Sequence, residues 1–153
     1  MALEHRGILR LGYIRAGLND PRLEKSRRFY KDVVGMLETT LEGGRTYLRC
    51  WHEPYQFSLV IEETPENQLI EIGFEVRDQQ DLDSITSRLT TRGIEVESAA
   101  ANAALNGLGA SISFEIPGGQ RLRLYYEMLQ PGYVTGCSSP DWNVPNPCAE
   151  HRH

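Results

Sequence analysis

Two successive stretches of the sequence show the same order of secondary structure, and this repeat limits the fold more than any other feature. Each stretch begins with a strand pattern, continues with a helix that a glycine ends (Gly35 or Gly93), and closes with three shorter strand patterns. The units span about residues 8–64 and 69–128. The sequence therefore predicts two βαβββ modules of an α+β fold, within one domain of residues 1–129.

The boundaries come from start signals, periodicity and turn residues. In the first module we expect a strand, a helix that starts at Asn19-Asp20-Pro21, and three strands: Ile8–Leu18, then Leu37–Glu42, Thr46–Trp51 and Phe57–Glu62. In the second module we expect a strand, a helix and three strands: Leu69–Arg77, Gln80–Arg92, Glu95–Ser98, Ser111–Ile116 and Leu122–Tyr126.

Alternation within the strands separates an apolar face from a polar face. The fifth strand sets four apolar side chains against a mostly charged set: Ile70, Ile72, Phe74 and Val76 against Glu71, Gly73, Glu75 and Arg77. The last strand alternates in the same way, with Arg121 and Arg123 opposite Leu122 and Leu124. We expect the apolar faces to meet the helices, and the polar faces to line a concave, wet cavity of a curved mixed sheet.

Composition and charge exclude several classes of partner. The 153 residues carry a formal net charge of −5 and no stripe of Lys or Arg, so neither nucleic acid nor an anionic membrane surface is expected as a partner. Neither a membrane span nor a signal peptide is visible, which predicts a cytoplasmic protein. Three cysteines without paired spacing argue against disulfides, and we expect Cys50, in an apolar run, to be buried.

Residues 130–153 differ in composition and predict an extended C-terminal tail rich in Pro and Gly. Its apolar Tyr133, Trp142 and Val144 need a surface, either on their own domain or across a dimer axis. Cys148, His151 and His153 are residue types that bind zinc or copper. A structural zinc site needs four ligands with definite geometry, and a terminal tail is usually mobile, so metal binding there is the less favoured interpretation.

Several motifs in this order resemble the vicinal oxygen chelate superfamily, which includes glyoxalases, bleomycin-resistance proteins and extradiol dioxygenases. The most specific are the runs from Gly44 to Glu53 and from Phe57 to Val60, supported by Ile72–Val76 and by the turn at Pro117-Gly118-Gly119. The sequence looks in particular like the N-terminal domain of catechol 2,3-dioxygenases. The resemblance implies a glyoxalase-like fold over about residues 8–143.

The resemblance also implies where a metal would lie, namely on the first, fifth and last strands. Extradiol enzymes use two His and one Glu there to hold Fe(II) with open positions for substrate. The matching residues are Tyr13, Glu71 and Arg123. Arg has no lone pair to donate, so we expect no cofactor at this site, and Fe(II) only if the family activity is retained. We expect the chain to correspond to the metal-free first domain plus the linker, without a catalytic domain.

Five residues are candidates for ligand binding: Tyr13, Glu71, Arg123, Tyr47 and His52. Each has a structural alternative, which we prefer. Glu71 and Arg123 either grip a substrate or form an ion pair that fills a vacated metal site. Tyr13 and Tyr47 either contact a ligand or pack within the sheet, and His52 is either an acid–base residue or a turn residue.

The favoured function is that of an extradiol ring-cleavage dioxygenase family protein of catechol catabolism that is not an iron oxygenase by itself. The alternative is a non-catalytic small-molecule-binding protein or accessory subunit of bleomycin-resistance type. A third hypothesis is a metal-independent enzyme that uses Tyr13, Glu71 and Arg123. Expected partners are a small aromatic molecule and either a second copy of the chain or a separate catalytic chain.

Overall fold

Eight strands form one mixed sheet in the computed structural model, which describes residues 7–132. The strands are β1 Ile8–Leu18, β2 Leu37–Glu42, β3 Arg45–Arg49, β4 Leu59–Glu63, β5 Gln68–Val76, β6 Glu97–Ala99, β7 Ser111–Glu115 and β8 Arg121–Tyr125. The helices are α1 Glu24–Arg28, between a 3₁₀ turn at Pro21–Leu23 and a π turn at Phe29–Val33, and α2 Gln79–Thr91. This order confirms the α+β class and the two βαβββ modules.

The first strand of each module lies at the centre of the sheet. The strand order is β2-β3-β4-β1-β5-β8-β7-β6, with β1 antiparallel to β5. β1 runs parallel to β4, and β5 runs parallel to β8. The two modules therefore join along β1 and β5, and the polar positions of β1, β5 and β8 become neighbours.

The two helical segments differ in how far local sequence determines them. Asp78 caps the start of α2, because its side chain accepts a hydrogen bond from the backbone N–H of Asp81 at 2.9 Å. Gly93, with φ +75°, follows the end of α2. The sequence predicted one continuous helix for the first segment, and this prediction is wrong. Arg22 and Leu23 adopt left-handed φ values of 56° and 55°, so the regular helix starts only at Glu24.

Apolar side chains of the sheet meet the helices in two separate clusters, as the alternation predicted. One lies between α2 and β5, β7 and β8, with Leu82, Phe114 and Leu124 at its centre. The other lies beside α1, with Leu48 and Ile61. In residues 7–132 no helix is long and apolar enough to cross a membrane.

The centre of the opposite face is buried, so the expected wet surface is wrong at Tyr13, Glu71 and Arg123. Tyr13, Phe57 and Tyr125 are at most 1% exposed, because the segment at residues 100–109 folds over them and adds Leu105 and Leu108. The aromatic rings provide the apolar surface that this cover packs against.

Cys50 corrects a further expectation, because it is exposed. β3 ends at Arg49, one residue earlier, so Cys50 falls in the turn beyond the apolar run. The residues singled out in the tail, Tyr133, Trp142, Val144, Cys148, His151 and His153, lie outside the described residues, and the proposed boundary near residue 130 stays a prediction.

Candidate functional site

Tyr13, Glu71 and Arg123 meet at the centre of the covered face. The Tyr13 hydroxyl donates to Glu71 Oε1 at 2.6 Å, and Arg123 Nε donates to the same oxygen at 3.1 Å. Arg123 Nη1 donates to Ser111 Oγ at 3.0 Å. We call these four residues the Glu71 cluster. The predicted ion pair between Glu71 and Arg123 is confirmed, and it is buried, with side chains 1% and 9% exposed.

Strand register brings the cluster together. Gly73 on β5 lies opposite Tyr13 on β1 and opposite Arg123 on β8, two residues from Glu71. A Cβ on Gly73 would lie 2.0 Å from a ring carbon of Tyr13, so the ring passes directly over this glycine. The absence of a side chain at residue 73 thus lets Tyr13 reach across to the carboxylate.

The electrostatics of the cluster keep the Tyr13 hydroxyl protonated. Burial raises the pKa of the Tyr13 hydroxyl well above its usual value, and the Glu71 carboxylate raises it further. Tyr13 therefore remains a neutral donor. Glu71 Oε2 is buried and has no hydrogen-bond partner among the described residues.

A layer of apolar side chains closes the cluster to solvent. The ring of Phe57 meets those of Tyr13 and Tyr47 edge to face, each at 5.2 Å between centroids. The Tyr47 hydroxyl accepts from the backbone N–H of Asn106 at 3.2 Å, which ties the cover at residues 100–109 to β3. Tyr47 therefore packs in the aromatic layer and anchors the cover at residues 100–109.

His52 lies apart from the other candidates. It is exposed in the turn that follows β3, whereas Tyr13, Tyr47, Glu71 and Arg123 are buried on one face. Sequence reasoning did not single out Ser111 as a partner of Arg123. Its position on the polar face of β7 was the available signal, because Ser111 and Ser113 alternate with Ile112 and Phe114.

The residues at the family's metal position do not fit a metal ion. Glu71 is the one ordinary ligand among Tyr13, Glu71 and Arg123, and one of its oxygens already accepts from both neighbours. A guanidinium 3.1 Å from the carboxylate supplies the positive charge that a cation would supply. Across residues 7–132 no three or more His, Cys, Asp or Glu side chains come together as a metal site.

Comparisons with known proteins agree with this fold. Residues 71–128 match the family of catechol 2,3-dioxygenase-like N-terminal domains. The chain is 32% identical over 128 residues to a metapyrocatechase of Pseudomonas sp. (strain CF600), which covers 83% of this chain. It is 29% identical to a manganese-dependent 2,3-dihydroxybiphenyl 1,2-dioxygenase of Geobacillus genomosp. 3, which covers 86% of this chain.

A solved structure shows the same architecture. The 2,3-dioxygenase LapB from Pseudomonas sp. KL28 superposes with a TM-score of 0.78 at 29% identity, over 84% of this chain and 44% of LapB. The chain spans 41% of the length of each of the two curated relatives. The similarity therefore concerns one part of these dioxygenases.

Proposed function

Because this chain belongs to the vicinal oxygen chelate superfamily, as a catechol 2,3-dioxygenase-like N-terminal domain, we propose that it serves extradiol ring cleavage without holding the metal itself. In this proposal the domain supports a catalytic domain that binds iron or manganese and the catechol substrate. That catalytic domain belongs either to the same polypeptide or to a separate chain.

The observation that carries the proposal is the buried Glu71 cluster at the metal position. Ring cleavage of this kind needs a metal with open coordination positions for a catecholate and dioxygen. Here the matching position is filled by a salt bridge whose side chains are at most 9% exposed, and aromatic side chains close it. The cluster joins β1, β5, β7 and β8, which gives it a structural role at the seam of the two modules.

A partner domain is supported by apolar side chains on the helix-bearing face of the sheet. Leu11 and Ile14 on β1 and Leu69 on β5 are 52%, 38% and 47% exposed. They lie opposite Phe74, Leu59 and Ala16 in the strand register, so they lie between the two helix-covered clusters. We call these three residues the central strip, and we propose that it packs against a partner.

Metal content and turnover of the purified full-length protein test the proposal. After anaerobic loading with Fe(II) or Mn(II) and removal of free metal, we expect no stoichiometric metal and no yellow product from catechol. Glu71→Gln is the matched variant, since it removes the one ordinary ligand with little change in shape. Stoichiometric metal that Glu71→Gln abolishes, together with product formation, would contradict the proposal.

A second candidate function is small-molecule binding of bleomycin-resistance type. A cavity of about 530 Å³ opens beside the cover at residues 100–109, with Tyr55, Glu75 and Tyr126 in its wall. This volume lies within the usual range for ligand pockets. Calorimetric titration with catechol separates the candidates, because binding at this cavity without turnover, weakened by Tyr55→Ala, supports the second one.

A further inference from the structure

We propose that the hairpin end of the sheet holds a separate binding site for a small organic monocarboxylate with an apolar body. A cavity of about 640 Å³ lies between the β2–β3 hairpin and the start of the first helical segment. Its wall includes Arg22, Leu23, Leu41 and Thr46, none of which belongs to the Glu71 cluster. We call it the hairpin pocket. Its role goes beyond the proposed function.

Thr46 provides a polar group that lacks a partner. Its side chain is fully buried in the wall of the pocket, yet its hydroxyl makes no hydrogen bond to any described residue. Burying an unpaired hydroxyl is unfavourable, whereas a ligand oxygen that accepts from it removes that penalty. The neighbouring Thr46 and Tyr47 point to opposite faces of β3, so this hydroxyl faces away from the aromatic layer.

Arg22 provides a guanidinium that no other side chain engages. Of the other arginines in the wall, Arg27 pairs with Glu38 at 2.9 Å and Arg45 pairs with Glu62 at 2.8 Å. The Arg22 side chain makes no hydrogen bond or ion pair within residues 7–132, although its backbone N–H donates to Glu63 at 3.0 Å. Its left-handed φ of 56° holds it at the pocket in a sparsely populated conformation.

The charge balance of the wall favours a singly charged ligand. Arg27 and Arg45 are already paired with Glu38 and Glu62, which leaves Arg22 as the arginine of the wall without a carboxylate partner for its side chain. One carboxylate matches one uncommitted guanidinium, with two parallel hydrogen bonds. The Glu63 carboxylate in the same wall disfavours a doubly charged phosphate.

Apolar groups form the rest of the pocket. Leu23 is buried at 3% exposure, and Leu41 is 57% exposed. Gly43 and Gly44 leave open space where side chains would be, so the hairpin leaves room for a ring. These features select a carboxylate with a hydrocarbon body, for which benzoate is the simplest probe.

Titration of the full-length protein with benzoate, followed by amide NMR, tests this site. We expect saturable shifts at Arg22, Gly43, Gly44 and Thr46. Arg22→Gln should weaken binding at least tenfold, as expected for a hydrogen bond to a charged group, and Thr46→Val should weaken it about fivefold. Arg28→Gln is the matched control, because Arg28 is exposed on α1 outside the pocket.

Two further probes sharpen the result. Benzyl alcohol keeps the ring but lacks the charge, and inorganic phosphate keeps the charge but lacks the ring, so both should bind at least tenfold more weakly than benzoate. Thr46→Val removes a hydroxyl without a partner, so its thermal midpoint should not fall, which keeps this variant informative. The proposal is overturned if the shifts of these amides do not saturate with benzoate, if phosphate binds as tightly as benzoate, or if neither variant weakens binding.

Discussion

Glu71 accepts two hydrogen bonds on one carboxylate oxygen and is almost completely buried. The stability of the folded protein therefore depends on the charge of Arg123. We expect Arg123→Met to destabilise the protein by about 3–5 kcal/mol, because it leaves a buried carboxylate without its counter-charge. The double variant Glu71→Leu with Arg123→Met should be less destabilised than Arg123→Met alone. Urea denaturation of the four proteins of this cycle measures the coupling.

An exposed pair on the same sheet is the control for this cycle. Arg121 and Glu97 lie 2.8 Å apart, with side chains 37% and 63% exposed. A double-mutant cycle on Arg121 and Glu97 should give a coupling energy of only about 0–1 kcal/mol. Simple additivity at Glu71 and Arg123 would contradict the role given to the cluster.

A second prediction at the scale of one residue concerns Gly73. In Gly73→Ala the new methyl group would lie 2.0 Å from a carbon of the Tyr13 ring, so the ring must move away from Glu71. We expect a loss of about 1–3 kcal/mol in the free energy of unfolding. Gly7→Ala is the control, because a Cβ there meets no atom within 4 Å and should change stability little. A Gly73→Ala protein as stable as Gly7→Ala would refute the crossing of Tyr13 over β5.

At the scale of elements, the start of α2 makes the folding stability depend on pH. The hydrogen bond from the backbone N–H of Asp81 lowers the pKa of the Asp78 carboxylate below its usual 3.8. A lowered pKa in the folded state stabilises the protein fully above the unfolded pKa, and this stabilisation is lost as the pH falls through the folded value.

Thermal midpoints between about pH 7 and pH 2 test this contribution, a range that covers the titration of Asp78. Asp78→Ala should lower the midpoint at neutral pH, and the difference from the wild type should shrink below pH 3.8. Asp78→Asn is the control, since asparagine caps helices well but does not titrate. A difference between Asp78→Ala and wild type that stays constant with pH would show that the cap charge does not contribute.

The elements also show how far the sequence determines this fold. Strand alternation, helical periodicity and Gly93 are local signals, and they predicted β1 and β2 fully and α2 to within one residue at each end. The same alternation placed Glu71 and Arg123 on one face. The break at Arg22 and Leu23 was not predictable, because neither residue favours a left-handed backbone.

The cover over the polar face could not be predicted from alternation alone. Leu105 and Leu108 stand among Ala, Asn and Gly residues, a composition that indicates a surface loop. The structure shows these two leucines packed on Tyr13, Tyr47 and Phe57, a long-range contact that strand periodicity does not contain. The expectation of a wet surface at the centre of this face failed for this reason, although the ion pair there was predicted.

At the scale of the whole molecule, the central strip of Leu11, Ile14 and Leu69 predicts association. Apolar side chains that are 38–52% exposed on two adjacent central strands favour a partner over solvent. In the absence of a catalytic chain, we expect two copies to pack through this strip about a twofold axis, since such an axis places the same patch on both sides. Sedimentation equilibrium of the full-length protein should therefore give the mass of a dimer.

Leu11→Lys tests which surface is responsible for this association. Leu11 is 52% exposed, so a lysine there keeps its charge in water in the monomer but is buried in the dimer, and we expect the dimer to dissociate at least tenfold more readily. Leu41→Lys is the control, because Leu41 is 57% exposed on β2 at the edge of the sheet and outside the strip. The strip has no partner if the protein stays monomeric at high concentration and binds no separate catalytic chain when the two are mixed. If Leu41→Lys and Leu11→Lys weaken the dimer equally, the interface lies elsewhere, and the central position of β1 and β5 does not determine assembly.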